Sequence, residues 1–188
     1  MTTASGDGGA SARIRPLVLS HAADLFAERG PAATSLRDIA QRSGVNAGLI
    51  FRHVGNKEAV VAAVLDYIAA DLATIRDADA PRDVVEARAE RSWKVIARSL
   101  LDGFDVGRLQ HRFPNVEKLV ESALSRHDDD YTARVATADA LALQLGWHLF
   151  GPFLRAATGL DDARPRTGRS HVGDAFAEEL GDPRNLGR

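Results

Sequence analysis

The chain contains no cysteine. That excludes disulfides, thiolate metal sites and a cysteine nucleophile, and it agrees with a cytoplasmic protein. A long apolar run is missing as well. The most apolar stretch lies between Asp139 and Arg155 and is interrupted by Gln144, His148 and Pro152, whereas a spanning helix needs about 20 consecutive apolar residues. It reads as a buried helix, and no membrane partner is expected. Residues 1–12 are rich in Gly, Ser, Thr and Ala, so they read as a disordered leader and not as a signal peptide. No segment sustains the period-two alternation of a strand. A GxSxG elbow, a phosphate-binding glycine loop, a dinucleotide fingerprint and an HExxH pair are all absent. No enzyme activity, catalytic residue, metal ligand or cofactor is therefore expected. His127-Asp128-Asp129-Asp130 has the residue types of a metal site, but adjacent residues on a helix diverge, and acids just ahead of a helix serve as caps.

A dominant charge is lacking too. The net charge is -2 over 188 residues, which by itself gives no hint of nucleic acid. Its distribution is more informative. Between Arg29 and Lys57 stand five basic residues (Arg29, Arg37, Arg42, Arg52, Lys57) and one acid, Asp38, while the remainder of the chain after Lys57 is acidic on balance. A short basic island on an acidic protein is the footprint of a small phosphate-contacting surface.

What the sequence does have is helical periodicity. Ile14, Leu17, Val18, Leu25 and Phe26 form one stripe; Val61, Val64, Ile68, Leu72 and Ile75 form another; Val85, Ala89, Trp93, Ile96 and Leu100 form a third. Val116, Leu119, Val120, Ala123 and Leu124 mark a shorter helix, and Tyr131–Leu160 is apolar around most of its circumference, as a helix covered on several sides would be. Gly30-Pro31, Gly44, Gly55 and Asp79-Ala80-Pro81 punctuate the first half, Phe113-Pro114-Asn115 separates two short helices, and Gly151-Pro152 should kink or break the long apolar one. Residues 161–170 read as a polar loop and Val172–Leu180 as a weak last helix. The expected fold is all-α, with about nine or ten helices.

Residues 35–54, SLRDIAQRSGVNAGLIFRHV, hold the most specific pattern. Ser35 can N-cap a short helix, with Asp38 closing a capping box. Leu36, Ile39 and Ala40 face inward on it, and Gly44 can end it with a positive φ. Val45 fills the corner, and Asn46 caps a second short helix, Ala47–His53, with Ile50 turned to the core. Two short helices joined by a glycine-containing turn make a helix-turn-helix, whose second helix enters the major groove N-terminus first. Ala47 and Gly48 at its front let the backbone approach base edges, and Lys57 opens the next helix where a phosphate could meet it.

ADLFAERGPAATSLRDIAQRSGVNAGLIFRHVGNKEAVVAAVL resembles the N-terminal domain of the tetracycline-repressor (TetR) family. The likeness runs from about Arg13 to Leu72. It rests on LFAERG at the end of the first helix, T-S-x-R-D-I-A in the second, G-V-x-x-G-x-I-F-x-H, and N-K-E-A at the start of the fourth. The resemblance implies DNA contacts from Ser35, Arg37, Asn46, Ala47, Gly48, Leu49, Phe51, Arg52, His53 and Lys57. Three positions depart from the usual pattern: Phe51 replaces a tyrosine and loses one hydroxyl, Asn46 replaces a serine that caps equally well, and Val54 replaces a core phenylalanine. The family also implies a homodimer, and an effector pocket in its C-terminal helices.

The resulting domain reading is a leader at 1–12, a three-helix helix-turn-helix domain at 13–58 with a connecting helix to about 78, and a helical ligand-binding and dimerisation domain at 81–188. In the last of these, Trp93, Phe104, Phe113 and Trp147 are candidates for an apolar ligand pocket, or alternatively ordinary core. His111, His148 and Gln144 are candidate polar anchors. The function expected is a cytoplasmic transcription regulator, a repressor, that binds a pseudo-palindromic double-stranded operator as a homodimer and is released by an unknown small-molecule effector. The alternative is a helical small-molecule-binding or enzymatic protein whose helix-turn-helix is vestigial.

Overall fold

A computed structural model describes residues 6–160, with side chains from Ile14 onward. Among these residues it contains eight helices and no strand: α1 (Gly6–Arg29), α2 (Leu36–Ser43), α3 (Ala47–His53), α4 (Lys57–Asp77), α5 (Arg82–Leu101), α6 (Val106–Leu109), α7 (Pro114–Leu124) and α8 (Asp130–Thr158). The expected all-α class is what is found. The polar loop at 161–170 and the weak helix near 172–180 lie outside the described residues. Two boundaries differ from expectation. Helix α1 starts at Gly6, inside the stretch read as a leader; Ala10 and Ala12 favour helix, but the glycines at 6, 8 and 9 do not, so its first turn has no explanation in local propensity. Helix α8 runs through Gly151-Pro152 without a break. A proline deletes one intrahelical bond, here to the His148 carbonyl, and the turns on either side retain theirs.

The turns obey local chemistry. Gly30 ends α1 with φ 83° and Gly44 ends α2 with φ 66°, a conformation that costs glycine little. Pro81 stands immediately ahead of α5, where a missing N–H does no harm. Asp129 caps α8 by accepting from the Thr132 backbone N–H at 2.9 Å and from its hydroxyl at 2.6 Å, which is the role the acidic run at 127–130 was expected to have. Those bonds hold its carboxyl below the ordinary aspartate range.

The chain divides into two compact units, the first ending at Pro114 and the second beginning at Asn115. The core of the first joins Val18, Ala22 and Phe26 of α1 to Ile39 of α2, Ile50 of α3, Val60, Val64, Leu65 and Ile68 of α4, Val95 of α5 and Val106 of α6. Each large side chain so buried stabilises the fold by about 1.5–3 kcal/mol. Helix α5 therefore belongs to the same body as the helix-turn-helix, past the residue-81 boundary drawn from the sequence.

It docks through an unexpected face. Its fully buried positions are Ser92, Val95, Ala97 and Ser99, whereas Val85, Ala89, Trp93 and Ile96 of the apolar stripe are only half-buried and Leu100 is exposed. Polar bonds explain the rotation. Arg91 bridges Asp24 of α1 (2.9 Å) and Asp71 of α4 (3.1 Å), and Arg88 reaches the same Asp71 at 2.9 Å. Small residues beside those arginines let the helix approach closely. On α1 the stripe is similarly displaced: Leu17 is exposed, while Leu19 and Ala23 are buried.

The second unit contains α8 and most of α7, with a small alanine core of Ala123, Ala133 and Ala136. Helix α8, expected to be covered on several sides, buries only Ala133, Ala136, Thr137, Ala140 and Gly151 in the single chain. Tyr131, Leu143, Leu149, Phe150 and Phe153 remain exposed along it.

Candidate nucleic-acid interface

The approach to α2 is a five-residue loop, Gly30 to Thr34, held by four hydrogen bonds besides the one from the Gly30 N–H to the Phe26 carbonyl that ends α1. The Thr34 hydroxyl donates to the Gly30 carbonyl at 2.8 Å, and the Thr34 N–H to the Pro31 carbonyl at 3.1 Å. Lys57 Nζ donates to the Thr34 carbonyl. The Ala32 N–H donates to Oδ2 of Asp102, just after α5, at 2.7 Å. Ser35 then caps α2 as its pattern predicts. Its Oγ accepts from the Asp38 N–H at 3.1 Å, and Asp38 Oδ2 accepts from the Ser35 N–H at 2.7 Å and hydroxyl at 2.8 Å. Those bonds, with Arg29 3.1 Å away, hold the Asp38 carboxyl below its ordinary range.

Helix α3 begins where the Asn46 side chain accepts from the Gly48 N–H at 2.7 Å. Ile50 on its inner side is completely buried. The outer side presents Gly48, Leu49, Phe51 and Arg52, all exposed, with Phe51 showing 61% of its surface. Ala47 and His53 are half-buried at the edges of that face. Arg37 of α2 is exposed, as are Ser35 and Asn46 ahead of their helices. Nine of the ten DNA-contact candidates thus fall on α2, α3 and their caps, but the hydroxyl of Ser35 and the carbonyl oxygen of Asn46 are already committed to capping.

Lys57 differs from its expected placement. It is half-buried, turned to the Thr34 carbonyl and placed 5.0 Å from the centroid of the Phe26 ring. Burial pushes its ammonium below the usual lysine range, while the carboxylates of Asp38 and Asp102 oppose that shift. An ammonium has three donors, so one bond to Thr34 leaves capacity for a phosphate.

The basic island is partly neutralised by acids within it and beside it. Arg29 pairs with Asp38 and Arg42 with Glu28. Arg15, missed in the sequence, adds a cation at the other end: its Nη1 donates to the His53 carbonyl, the last of α3, at 3.2 Å. Nothing in the spacing of residues 15 and 53 signals that approach; it follows from how α1 packs.

Of the ligand candidates, Trp93, Phe104 and Phe113 lie in the first unit and Trp147 on α8 in the second. Phe104 packs against the first unit's core, which supports the core alternative for that residue. Trp93, Phe113 and Trp147 are half-buried. Among the polar anchors, His111 is engaged with Asp66 of α4, whose carboxylate accepts from the His111 N–H at 2.8 Å and the Arg112 N–H at 3.1 Å. Among the described residues, no helix is long and apolar enough to cross a membrane.

Comparison with known proteins gives the same picture from another direction. Residues 18–64 match the family described as bacterial regulatory proteins, tetR family. The chain is 53% identical over 167 residues to the HTH-type transcriptional repressor Rv3405c of Mycobacterium tuberculosis, covering 89% of each chain, and equally to the HTH-type transcriptional regulator Mb3439c of Mycobacterium bovis. A shorter likeness, 44% over 62 residues, covers 33% of this chain and 30% of the HTH-type transcriptional repressor KstR2 of Rhodococcus jostii.

Proposed function

Because the chain belongs to the tetR family of bacterial regulatory proteins, we propose that it represses transcription by seating α3 in the major groove of a pseudo-palindromic operator as a homodimer. The observation that carries this reading is the outer face of α3: a front of Ala47 and Gly48, then exposed Leu49, Phe51 and Arg52. Small residues at the front admit a base edge, and the larger ones behind reach the groove walls and backbone. Arg37 and Lys57 supply backbone contacts, as does Ser35 through its exposed position at the α2 N-terminus. The name of the mycobacterial repressor supports repression as the sign of control, acting in the cytoplasm on the cell's own DNA.

The homodimer is supported by α8. Phe150 is 56% exposed and Phe153 67%, with Leu143 and Leu149 on the same helix; such a surface calls for a symmetric partner burying well over about 1,000 Å² in total. We place effector sensing in residues 81–188, with the half-buried Trp93 of α5 and Trp147 of α8 as apolar contacts in their respective units. An effector must favour the DNA-incompetent state by roughly 3 kcal/mol to relieve repression more than a hundredfold.

The test is selection of duplexes from a random pool by the purified protein, followed by footprinting of the selected sequence. Protection of two half-sites about one helical turn apart is expected. Failure to enrich any sequence above a scrambled duplex would overturn the reading.

A further inference from the structure

Four bonds hold the Gly30–Thr34 loop, and one of them is unlike the others. Two lie within the loop itself, and a third comes from Lys57, the first residue of α4. The fourth comes from Asp102, the residue that follows α5, 70 positions along the chain from the Ala32 N–H that it accepts. At 2.7 Å it is a short, charge-assisted bond of the stronger kind. The fit is close on its other side too: a Cβ placed on Gly30 would lie 2.6 Å from Asp102 Oδ2, so a larger residue there would push the carboxylate from its present place. Lys57 stands near enough for the Asp102 charge to favour its ammonium.

The position of this loop matters because the chain enters the two short helices through it, and each of them has a single fully buried anchor of its own. Helix α2 fully buries Ile39 alone and α3 Ile50 alone. The angle at which they stand on α1 and α4 is set by those two anchors, by Leu36, Ala40, Val45 and Val54 packed around them, by the ties of Arg29, Arg42 and Arg15 from or to α1, and by the chain entering at Ser35. We propose that Asp102 is a positioning residue for operator recognition, fixing through the Ala32 N–H the entry angle of α2 and thereby the seating of α3, although it touches no DNA. The inference rests on the reading of α3 as the DNA-reading helix. It also gives α5 a part in DNA recognition.

The experiment uses the full chain, a duplex selected by the wild-type protein, and a scrambled duplex of the same composition. Asp102→Ala should lower affinity for the selected duplex about tenfold. Affinity for the scrambled duplex and the salt slope should stay as in the wild type, since no phosphate contact is removed. Asp102→Asn keeps an oxygen acceptor and should restore most of the selective affinity. Ala32→Pro removes the donor from the other side. It should reproduce the loss, and the double variant Asp102→Ala/Ala32→Pro should be no worse than either single one. If Asp102→Ala does not fold, Ala32→Pro decides by the same two affinities.

Equal loss on both duplexes, additive losses in the double variant, or wild-type selectivity in the folded variants would each overturn the proposal. A wild-type chain that selects no duplex at all would instead overturn the reading on which it rests.

Discussion

Asp38 accepts from the Ser35 N–H and hydroxyl and lies beside Arg29, so its folded-state pKa falls below the ordinary aspartate value of 3.8. A depressed carboxylate contributes stability that is present above its unfolded pKa and disappears as pH falls through the folded value. Asp38→Asn should therefore flatten the pH dependence of stability below 3.8, with urea midpoints of variant and wild type converging in strong acid. A difference that persisted unchanged at the acid end would assign the residue a role other than its charge. Lys57 offers a second test at this scale. Lys57→Ala should weaken binding to selected and scrambled duplexes alike and reduce the salt slope by about one unit. It should also lower the melting temperature, because the Thr34 carbonyl loses its donor and the Phe26 ring its cation. An unchanged salt slope with a lowered melting point would make Lys57 a clamp on the loop and nothing more.

At the scale of elements, the helix-turn-helix was the most legible part of the chain because its determinants are local. Ser35 and Asp38, Gly44, and Asn46 each act within four residues, and all occupy the predicted roles. What spacing could not disclose was tertiary. The apolar stripe of α5 suggested burial of Trp93, yet long-range pairs of Arg88 and Arg91 with Asp24 and Asp71 turn Ser92, Val95 and Ser99 inward instead. Asp102 and Arg15 were invisible for the same reason: their partners are 70 and 38 residues away. The front of α3 provides the sharpest expectation. Gly48→Leu would project a bulky side chain from the groove-facing turn, and its Cβ would already stand 3.1 Å from Asn46 Oδ1. Selective binding should be lost while binding to scrambled duplex persists, as anisotropy titrations of the two duplexes would read. Asn46→Ala should cost about 0.5–2 kcal/mol of stability through the lost cap, measurable by urea denaturation.

For the whole molecule, the exposed apolar residues of α8 predict association. Analytical ultracentrifugation at micromolar concentration should give a dimer, and Phe150→Asp together with Phe153→Asp should give a folded monomer with weakened operator binding. A wild-type monomer under those conditions would remove α8 as an interface. The attachment of α5 to the N-terminal body has a separate practical meaning. Modular exchange of reading heads between regulators requires a cut that leaves each part whole. A cut after about residue 80, at the break between α4 and α5, would look natural from the sequence, but it would leave Asp24 and Asp71 without Arg91 and the Ala32 N–H without Asp102. A chimera joined at Pro114 keeps those bonds within one parent. Grafted onto a foreign sensor, the longer segment should retain its own DNA specificity where the shorter one loses it, so the transplantable cassette of this regulator ends with α6 and not with the connecting helix.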